Sequence, residues 1–437
     1  MSMTCCGAVP VAAGLIKSMP SSLLVTMRAL ALLALAACAL ASAAASADTS
    51  GPIQLDLVDL TAYDPEALCN DGSHAGLYWR PATSSAGSSD FLLYLQGGDW
   101  CWDEASCHER WLKAPQLMSS KGWSATYSDD GIFSADSPLS GANLAFLAYC
   151  TSDGHMGDRA ASSDSFGWHF RGRRAVRAAV LAMTHLGGLG RVNSGANNHT
   201  RSNWPWRFRS HPQRLFFGGA SAGARGAMVA LDFIAGYLPA AVSDEAAAPV
   251  AVFGVLDSPL WLDIPPMPHS AFPGFAAVTA AVYHLANATA HITADCAAVF
   301  ASEPWKCLFA QYRMPFLAQP YLLYASMFDS FQLGTNIGHP APYTSPAEAV
   351  YVASFAAAVR ETVASLPPKD SPIAPGSGVF SSACNNHAKS LSRVFVTETV
   401  DGLSMADALA AAVKGGAGPA RTVEVCSTIN CGAGCPA

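Results

Sequence analysis

Short apolar runs alternate with longer amphipathic segments along most of this chain. Five runs are apolar on both faces, which is typical of buried strands in a parallel sheet: residues 91–95, 144–149, 215–217, 250–256 and 321–327. The run at 53–60 alternates apolar and polar residues and predicts a first edge strand, which 76–80 can join in a hairpin. Helix-forming segments, such as 171–186 and 224–232, separate later runs. This order predicts a single doubly wound, mostly parallel α/β sheet with helices on both faces.

Polar and glycine-rich segments directly follow several of the predicted strands. Gly97 and Gly98 come shortly after one strand, Cys150 begins the loop after the next, and Asp257 and Asp329 follow two others. An open α/β sheet binds its ligands beyond the carboxyl ends of its strands, where such loops meet. The sequence therefore predicts a functional site at this edge of the sheet.

Ser221 lies between a predicted strand and a predicted helix, in the sequence Gly219-Ala220-Ser221-Ala222-Gly223. In this G-x-S-x-G pattern the serine occupies a strained turn, and the glycines lack the Cβ atoms that would clash there. The turn exposes the hydroxyl and leaves the Ala222 N–H free to face a developing oxyanion. We predict that Ser221 is a nucleophile and that residues 218–223 are too glycine-rich to continue the strand. The alternative is a glycine-rich turn whose serine only caps a helix.

A nucleophilic serine requires a histidine base and a carboxylate that orients the histidine. Asp329 follows a buried strand downstream of Ser221, where the acid should lie, but Asp257 also follows a strand and remains an alternative. His387, the last histidine in the chain, is the favoured base. The other candidate bases are His284, His291 and His339.

The first 47 residues have the pattern of a secretory signal peptide. A positive charge after Met27 precedes a run rich in leucine and alanine, and small residues up to Ala47 form a cleavage site. Residues 1–26 are then an upstream extension. A signal anchor is the alternative, although the run is short for a bilayer span, and no stable membrane insertion is expected after cleavage. We assign residues 48–412 to the α/β domain and 413–437 to a glycine- and cysteine-rich tail.

Ten cysteines follow the predicted cleavage site, and an even number in an exported chain favours disulfides. The group Cys426, Cys431 and Cys435 lacks the spacing and the nearby histidine of a zinc site, so no metal is expected. Sequons at Asn198 and Asn287 predict glycosylation. Together these features predict a secreted protein of the extracellular space or cell wall.

Amino-acid composition and charge limit the classes to which the protein can belong. With 51% hydrophobic and 13% charged residues the chain can bury a large core. A formal net charge of -7 without a long basic run argues against a nucleic-acid partner. The basic cluster at 171–177 contains interleaved apolar residues and predicts a solvated helix face.

Seven motifs follow one another in order between residues 55 and 387. They are LQGGDWC at 95–101, Tyr149-Cys150 with Ser152-Asp153, HFRG at 169–172, GGASAG at 218–223, Leu256-Asp257-Ser258 with Trp261, Phe328-Asp329 with Gln332, and Cys384 with His387. Together they resemble the pectin acetylesterase/Notum family of serine carboxylesterases. The resemblance implies an α/β-hydrolase-like fold and a catalytic triad of Ser221, Asp329 and His387, which decides against Asp257 as the acid.

The resemblance also implies an oxyanion hole formed by the backbone N–H groups of Gly98, Asp99 and Ala222. It implies two disulfides, Cys69–Cys150 and Cys101–Cys107, and leaves the other pairings open. Asp99 is a departure, because the plant members usually have glycine there. A carboxylate facing the oxyanion would oppose its charge, so we expect Asp99 to lie outside the pocket or to pair with a cation.

The HFRG motif resembles the plant branch of the family, which favours removal of acetyl groups from a polysaccharide such as pectin. Trp100 is the candidate sugar-stacking residue, with Trp102, Trp204 and Trp206 as further candidates, although each tryptophan could equally be core. The alternatives are a lipid or protein carboxylesterase of the Notum type, or a secreted carbohydrate-binding protein that has lost catalysis. We expect a monomer that uses no cofactor.

Overall fold

The computed structural model describes residues 51–85, 87–191, 213–241, 248–367, 374–415 and 421–435. Four features predicted from the sequence lie outside these ranges: the signal peptide, the Asn198 sequon, Trp204 and Trp206. The described residues from Pro52 onward belong to one structural unit.

Ten strands of the described chain form one sheet, and two more form a small separate ladder. The strands are β1 (Pro52–Asp59), β2 (Gly76–Arg80), β3 (Asp90–Leu95), β4 (Thr126–Ser134), β5 (Asn143–Leu147), β6 (Gln213–Ala220), β7 (Val250–Asp257), β8 (Tyr321–Ser326), β9 (Gly378–Ser382), β10 (Thr399–Val400), β11 (Leu403–Ser404) and β12 (Arg421–Val423). The main sheet has the order β12-β9-β8-β7-β6-β3-β5-β2-β1-β4, and β10 pairs with β11. Pairing is parallel from β12 to β5 and antiparallel from β5 to β4. The mostly parallel α/β architecture is therefore confirmed.

Helices cover both faces of the sheet. The α-helices are α1 (Glu104–Lys113), α2 (Gly172–Leu186), α3 (Ala222–Ala241), α4 (Phe275–Leu285), α5 (Ala294–Val299), α6 (Ala310–Arg313), α7 (Ser330–Ile337), α8 (Pro346–Ser365), α9 (Val394–Thr397) and α10 (Met405–Lys414). Alternate β3 residues face opposite cores: Leu93 packs in the core that includes α2 and α3, and Leu92 in the core that includes α10. Because both faces are covered, the central strands are apolar throughout.

Two details of the predicted sheet are wrong. The strand predicted at 53–60 exists as β1 and forms the expected hairpin with β2, but it is not an edge strand, because β4 pairs with its other side. Residues 218–220 continue β6 rather than ending it. Gly218 fits within the strand because it packs against β7 so closely that a Cβ would lie 2.0 Å from the Val255 carbonyl oxygen.

The carboxyl ends of β3, β6, β7, β8 and β9 meet at one edge of the sheet because these strands are parallel. Part of the segment assigned to a tail contributes to this framework, since β12 pairs in parallel with β9. The ten cysteines form the implied pairs and three further ones: Cys69–Cys150, Cys101–Cys107, Cys296–Cys307, Cys384–Cys435 and Cys426–Cys431.

Candidate active site

Ser221 stands at the sharp turn between β6 and α3, with its backbone in the left-handed conformation at φ 55°. Its N–H donates to the Asp257 carbonyl at 2.8 Å, which fixes the turn against β7. A Cβ on Gly223 would lie 2.1 Å from the Leu95 carbonyl oxygen, so only glycine allows the helix to approach β3 this closely. The local sequence thus presents the serine hydroxyl at the carboxyl edge of the sheet.

His387 lies between Ser221 and Asp329 in a continuous hydrogen-bonded chain. Its Nδ1 is 2.7 Å from Asp329 Oδ2, and its Nε2 is 2.7 Å from Ser221 Oγ. An ionised carboxylate can only accept, so Nδ1 carries the proton and Nε2 accepts from the serine hydroxyl. The three side chains predicted from the sequence therefore meet in the geometry that nucleophilic catalysis requires.

The acid and base are held by their own local structure. Asp329 caps α7, where its Oδ1 accepts from the Gln332 N–H at 2.9 Å. The ring of Phe331, in the first turn of the same helix, stacks on His387 with centroids 5.1 Å apart. Asn385 donates to the Phe328 carbonyl and fixes the start of the histidine loop. The orientation of the imidazole is thus set before any substrate binds.

Asp257, the other candidate acid, has a different position. Its carboxylate accepts from the Ser390 N–H at 2.8 Å and from the Ser258 hydroxyl, while the Ser258 hydroxyl accepts from the Ala388 N–H. Asp257 therefore supports the loop just beyond His387. Among the alternative bases, His339 pairs with Glu348, and none of the three hydrogen-bonds to Ser221 within the described residues.

The pKa of His387 reflects two opposing effects. Burial alone would lower it, but the carboxylate of Asp329 raises it through charge and hydrogen bonding. Asp257 and Asp99 add smaller contributions in the same direction, and the pKa ends above its ordinary value. The site therefore stabilises the protonated imidazolium that forms when the histidine accepts the serine proton.

Gly98 and Asp99 form the oxyanion segment, which follows shortly after β3. Gly98 and Asp99 both have positive φ, and the backbone N–H groups of Gly98, Asp99 and Ala222 donate to no other protein group within the described ranges. These N–H groups are available to a developing oxyanion. The Cys101–Cys107 disulfide and the bond from the Cys101 N–H to the Ser152 carbonyl close the segment.

Asp99 fits the second of the two expectations, a carboxylate near cations, rather than a position open to solvent. The residue is half-buried, and desolvation raises the pKa of its carboxyl group, while the guanidinium groups of Arg110 and Arg225 act in the opposite direction. The positive charge of His387 also interacts with it. The carboxyl group thus belongs to the electrostatics of the site, and no sequence pattern indicates that these two arginines act on it.

Trp100 is not an exposed platform for a sugar ring. Its side chain is 3% exposed and packs edge-on against Trp261, with ring centroids 5.2 Å apart. The Arg225 guanidinium packs against both rings. Arg225 follows Ser221 by one helical turn, a spacing visible in the sequence, but its aromatic partners come from distant loops.

An open cleft of about 490 Å3 is lined in part by Phe331, whose ring also contacts Trp261 of this packed region. Phe272 and Phe331 supply apolar surface, and Ser270, Thr335 and His339 supply polar groups. Trp102 packs edge-on against Phe272. Its lining includes Ser330, the residue after Asp329, and Phe331, which stacks on His387, so the cleft adjoins residues that neighbour the acid and base.

Within the described ranges, no group of three or more histidine, cysteine or acidic residues could hold a metal ion. No helix in the same ranges has the length and apolar character needed to cross a membrane. Asn287 is exposed, as glycosylation would require.

A serine at a strand-to-helix turn, linked through histidine to a carboxylate at the carboxyl edge of a parallel sheet, defines the class of serine hydrolases with an α/β-hydrolase-like fold. The family model described as Pectinacetylesterase matches residues 46–193 and 210–435. The chain therefore belongs to this family of carboxylic ester hydrolases, and the resemblance seen in its motifs is confirmed.

Several proteins of known name are similar to this chain. The palmitoleoyl-protein carboxylesterase NOTUM of Drosophila melanogaster is 29% identical over 83% of this chain and 49% of its own length. The human protein of the same name is 26% identical over 78% of this chain and 63% of its own length. A solved structure of the Wnt deacylase Notum from Drosophila has a TM-score of 0.72 at 27% identity, covering 88% of this chain and all of that one. The chain thus spans about half to two thirds of the length of these two named relatives.

Proposed function

We propose that this chain is a carboxylesterase that removes acetyl or similarly short acyl groups from a hydroxyl-rich polymer such as a cell-wall polysaccharide. The observation that carries the esterase activity is the hydrogen-bonded chain from Ser221 through His387 to Asp329. Family membership supports the same reaction class.

In the proposed reaction, Ser221 Oγ attacks the ester carbonyl carbon while His387 Nε2 takes the hydroxyl proton. The carbonyl oxygen becomes an oxyanion, which accepts hydrogen bonds from the backbone N–H groups of Gly98, Asp99 and Ala222. When the tetrahedral intermediate collapses, the imidazolium returns its proton to the leaving alcohol, and the acyl group remains on Ser221. Water then attacks the acyl-enzyme with His387 again as base, releasing the carboxylic acid and free Ser221.

The two sides of Ser221 support a short acyl group and a large alcohol. Behind the nucleophile the space is filled by Trp100, Arg225 and Trp261, each at most 3% exposed. Beside His387 the cleft is open and combines aromatic surface with hydroxyl groups, which suits a sugar polymer. The small group would thus enter the closed side, and the polymer would lie in the open cleft.

The second candidate is a carboxylesterase acting on acylated protein, because the named relatives are palmitoleoyl-protein carboxylesterases. Phe272, Phe331 and Pro340 give the open cleft apolar surface that could hold a longer chain. Five disulfides fit an oxidising compartment for either candidate, and we propose an exported monomer.

The experiment measures kcat/KM on acetylated pectin, acetylated xylan and a palmitoleoylated serine peptide, with Ser221→Ala as the blank. Acetate release from a polysaccharide, absent in the blank, is the expected result. Faster release of palmitoleate than of acetate would favour the second candidate. Hydrolysis of none of these substrates, nor of any simple p-nitrophenyl ester, would contradict the esterase proposal itself.

A further inference from the structure

Arg225 is a fully buried cation one helical turn after the nucleophile. Its guanidinium carbon lies 4.2 Å from the ring centroid of Trp100 and 4.0 Å from that of Trp261. Residues four apart share one face of a helix, and helical side chains lean toward the helix N-terminus. The side chain of Arg225 is therefore directed back toward Ser221 at the start of α3.

The rings around Arg225 connect the two sides of the site. Trp100 follows the oxyanion segment directly, whereas Trp261 packs against Phe331, which stacks on His387. The guanidinium thus packs against rings that adjoin the oxyanion segment on one side and the base on the other. An acyl group on Ser221, with its oxygen in the oxyanion hole, would extend toward these rings.

The hydrogen bonding of Arg225 is poor for a buried cation. Its Nε and Nη2 both donate to the single Leu308 carbonyl, and its Nη1 has no partner within the described residues. Burial also lowers the pKa of its guanidinium well below the ordinary value, although the charge of Asp99 acts in the opposite direction. An apolar side chain of similar size would pack against the two rings without burying a charge. Packing alone therefore gives a weak account of an arginine at this position.

We propose that Arg225 is the specificity-determining residue that restricts this site to short acyl groups. The inference rests on the proposed esterase function and identifies the residue that sets its acyl length. Arg225 acts in two ways: its side chain fills the volume that a longer chain needs, and its buried charge makes the remaining surface unfavourable for aliphatic carbon. An acetyl group stops short of the guanidinium, whereas a longer chain must displace it.

The test compares p-nitrophenyl acetate with p-nitrophenyl octanoate, which share one leaving group, so that their ratio of kcat/KM reports on the acyl side alone. Arg225→Ala removes both volume and charge, and Arg225→Met removes the charge while keeping much of the volume. We expect the octanoate-to-acetate ratio to rise about tenfold or more in Arg225→Ala, since even one methylene in an apolar pocket changes this ratio substantially. Arg225→Met should raise it less.

Arg177→Ala is the matched control, because it removes another arginine that covers an aromatic ring, Tyr237, away from the nucleophile. Its ratio should equal that of the wild type. A folded Arg225→Ala enzyme that cleaves acetate with the wild-type ratio would overturn the proposal. If Arg225→Ala does not fold, an unchanged ratio in Arg225→Met overturns it instead. Failure of the esterase proposal looks different, because the wild type would then cleave neither ester.

Discussion

The two sides of Ser221 are built on different principles. On the base side, a hydrogen bond joins His387 to Asp329, and separate hydrogen bonds tie Asp257 to the loop beyond His387. Each oxygen of these two carboxylates has a partner. On the acyl side, Arg225 and Trp100 each keep an N–H without a partner in the described structure. The base side orients groups that move protons, which requires satisfied bonds. The role proposed for the acyl side is to limit the length of the acyl group, which requires filled volume more than complete hydrogen bonding.

Ser221 belongs to both sides, so its loss should have the largest effect. We expect Ser221→Ala to lower kcat by ~10^4-fold or more on every ester while leaving the fold intact. Turnover of p-nitrophenyl acetate and thermal unfolding provide the measurements. The exposed Ser354→Ala on α8 is the control and should keep full activity. Substantial residual turnover in Ser221→Ala would assign the nucleophile to another residue.

Removing one disulfide from each side should show how strongly the activity depends on the rigidity of that side. Cys101–Cys107 and Cys426–Cys431 close loops of similar length. We expect Cys101→Ser with Cys107→Ser to lower kcat by about 10^2-fold, because small displacements of the oxyanion segment are costly. The Cys426→Ser with Cys431→Ser variant should lose much less, since Cys384–Cys435 still holds the histidine loop. Equal losses in steady-state assays of the two variants would contradict this difference.

Replacing Asp99 should alter the electrostatic coupling between the two sides. The Asp99 charge raises the pKa of His387 and opposes an oxyanion, so Asp99→Asn should shift the acidic limb of kcat/KM to lower pH. The sign follows because the base acts when neutral, and a lower pKa leaves it neutral in more acidic solution. Turnover should rise by up to about tenfold.

Asp401→Asn is the control for this variant, because Asp401 is exposed and has a similar left-handed backbone. Its pH profile should match that of the wild type. An acidic limb in Asp99→Asn that stays in place, measured from about pH 4 to about pH 9, would show that Asp99 does not act on His387.

Glu398 should affect stability on the base side with little effect on turnover. Its carboxylate accepts from Asn386, the neighbour of His387, and burial raises its pKa to about 7. Since the folded state holds this proton more tightly than the unfolded state, its contribution to stability is present at low pH and is lost as pH rises to about 7. In Glu398→Gln, denaturation midpoints at about pH 5 and about pH 8 should therefore differ less than in the wild type. An unchanged difference would exclude this contribution.

The sequence predicted the features that depend on local pattern. The central strands, the turn at Ser221 and the loops after parallel strands follow from hydrophobic runs and glycine positions, because each is encoded within a few residues. The long polar strand β4 was not predicted, since its residues 126–130 lack the apolar alternation of a buried strand. β6 was predicted too short because its glycines fit a close strand contact rather than ending the strand.

The acyl side was harder to predict than the base side. The pattern favoured Asp329 and His387 through chain order, and the family resemblance reinforced both. The contact of Arg225 with Trp100 and Trp261 joins one helix with two separate loops. No local sequence pattern therefore predicts it. The electrostatic environment of Asp99 likewise involves Arg110 and Arg225, which do not adjoin it in the sequence.

The link between Cys384 and Cys435 has a consequence for how the protein is made. His387 lies three residues from Cys384, which is bonded to a cysteine 51 residues further along the chain. During synthesis the nucleophile turn and the aspartate emerge from the ribosome well before that cysteine does. The histidine loop can reach its final anchoring only after Cys435 has been translated and oxidised. The histidine loop therefore receives its disulfide anchor late in biosynthesis, after strands β1 to β9 have been translated.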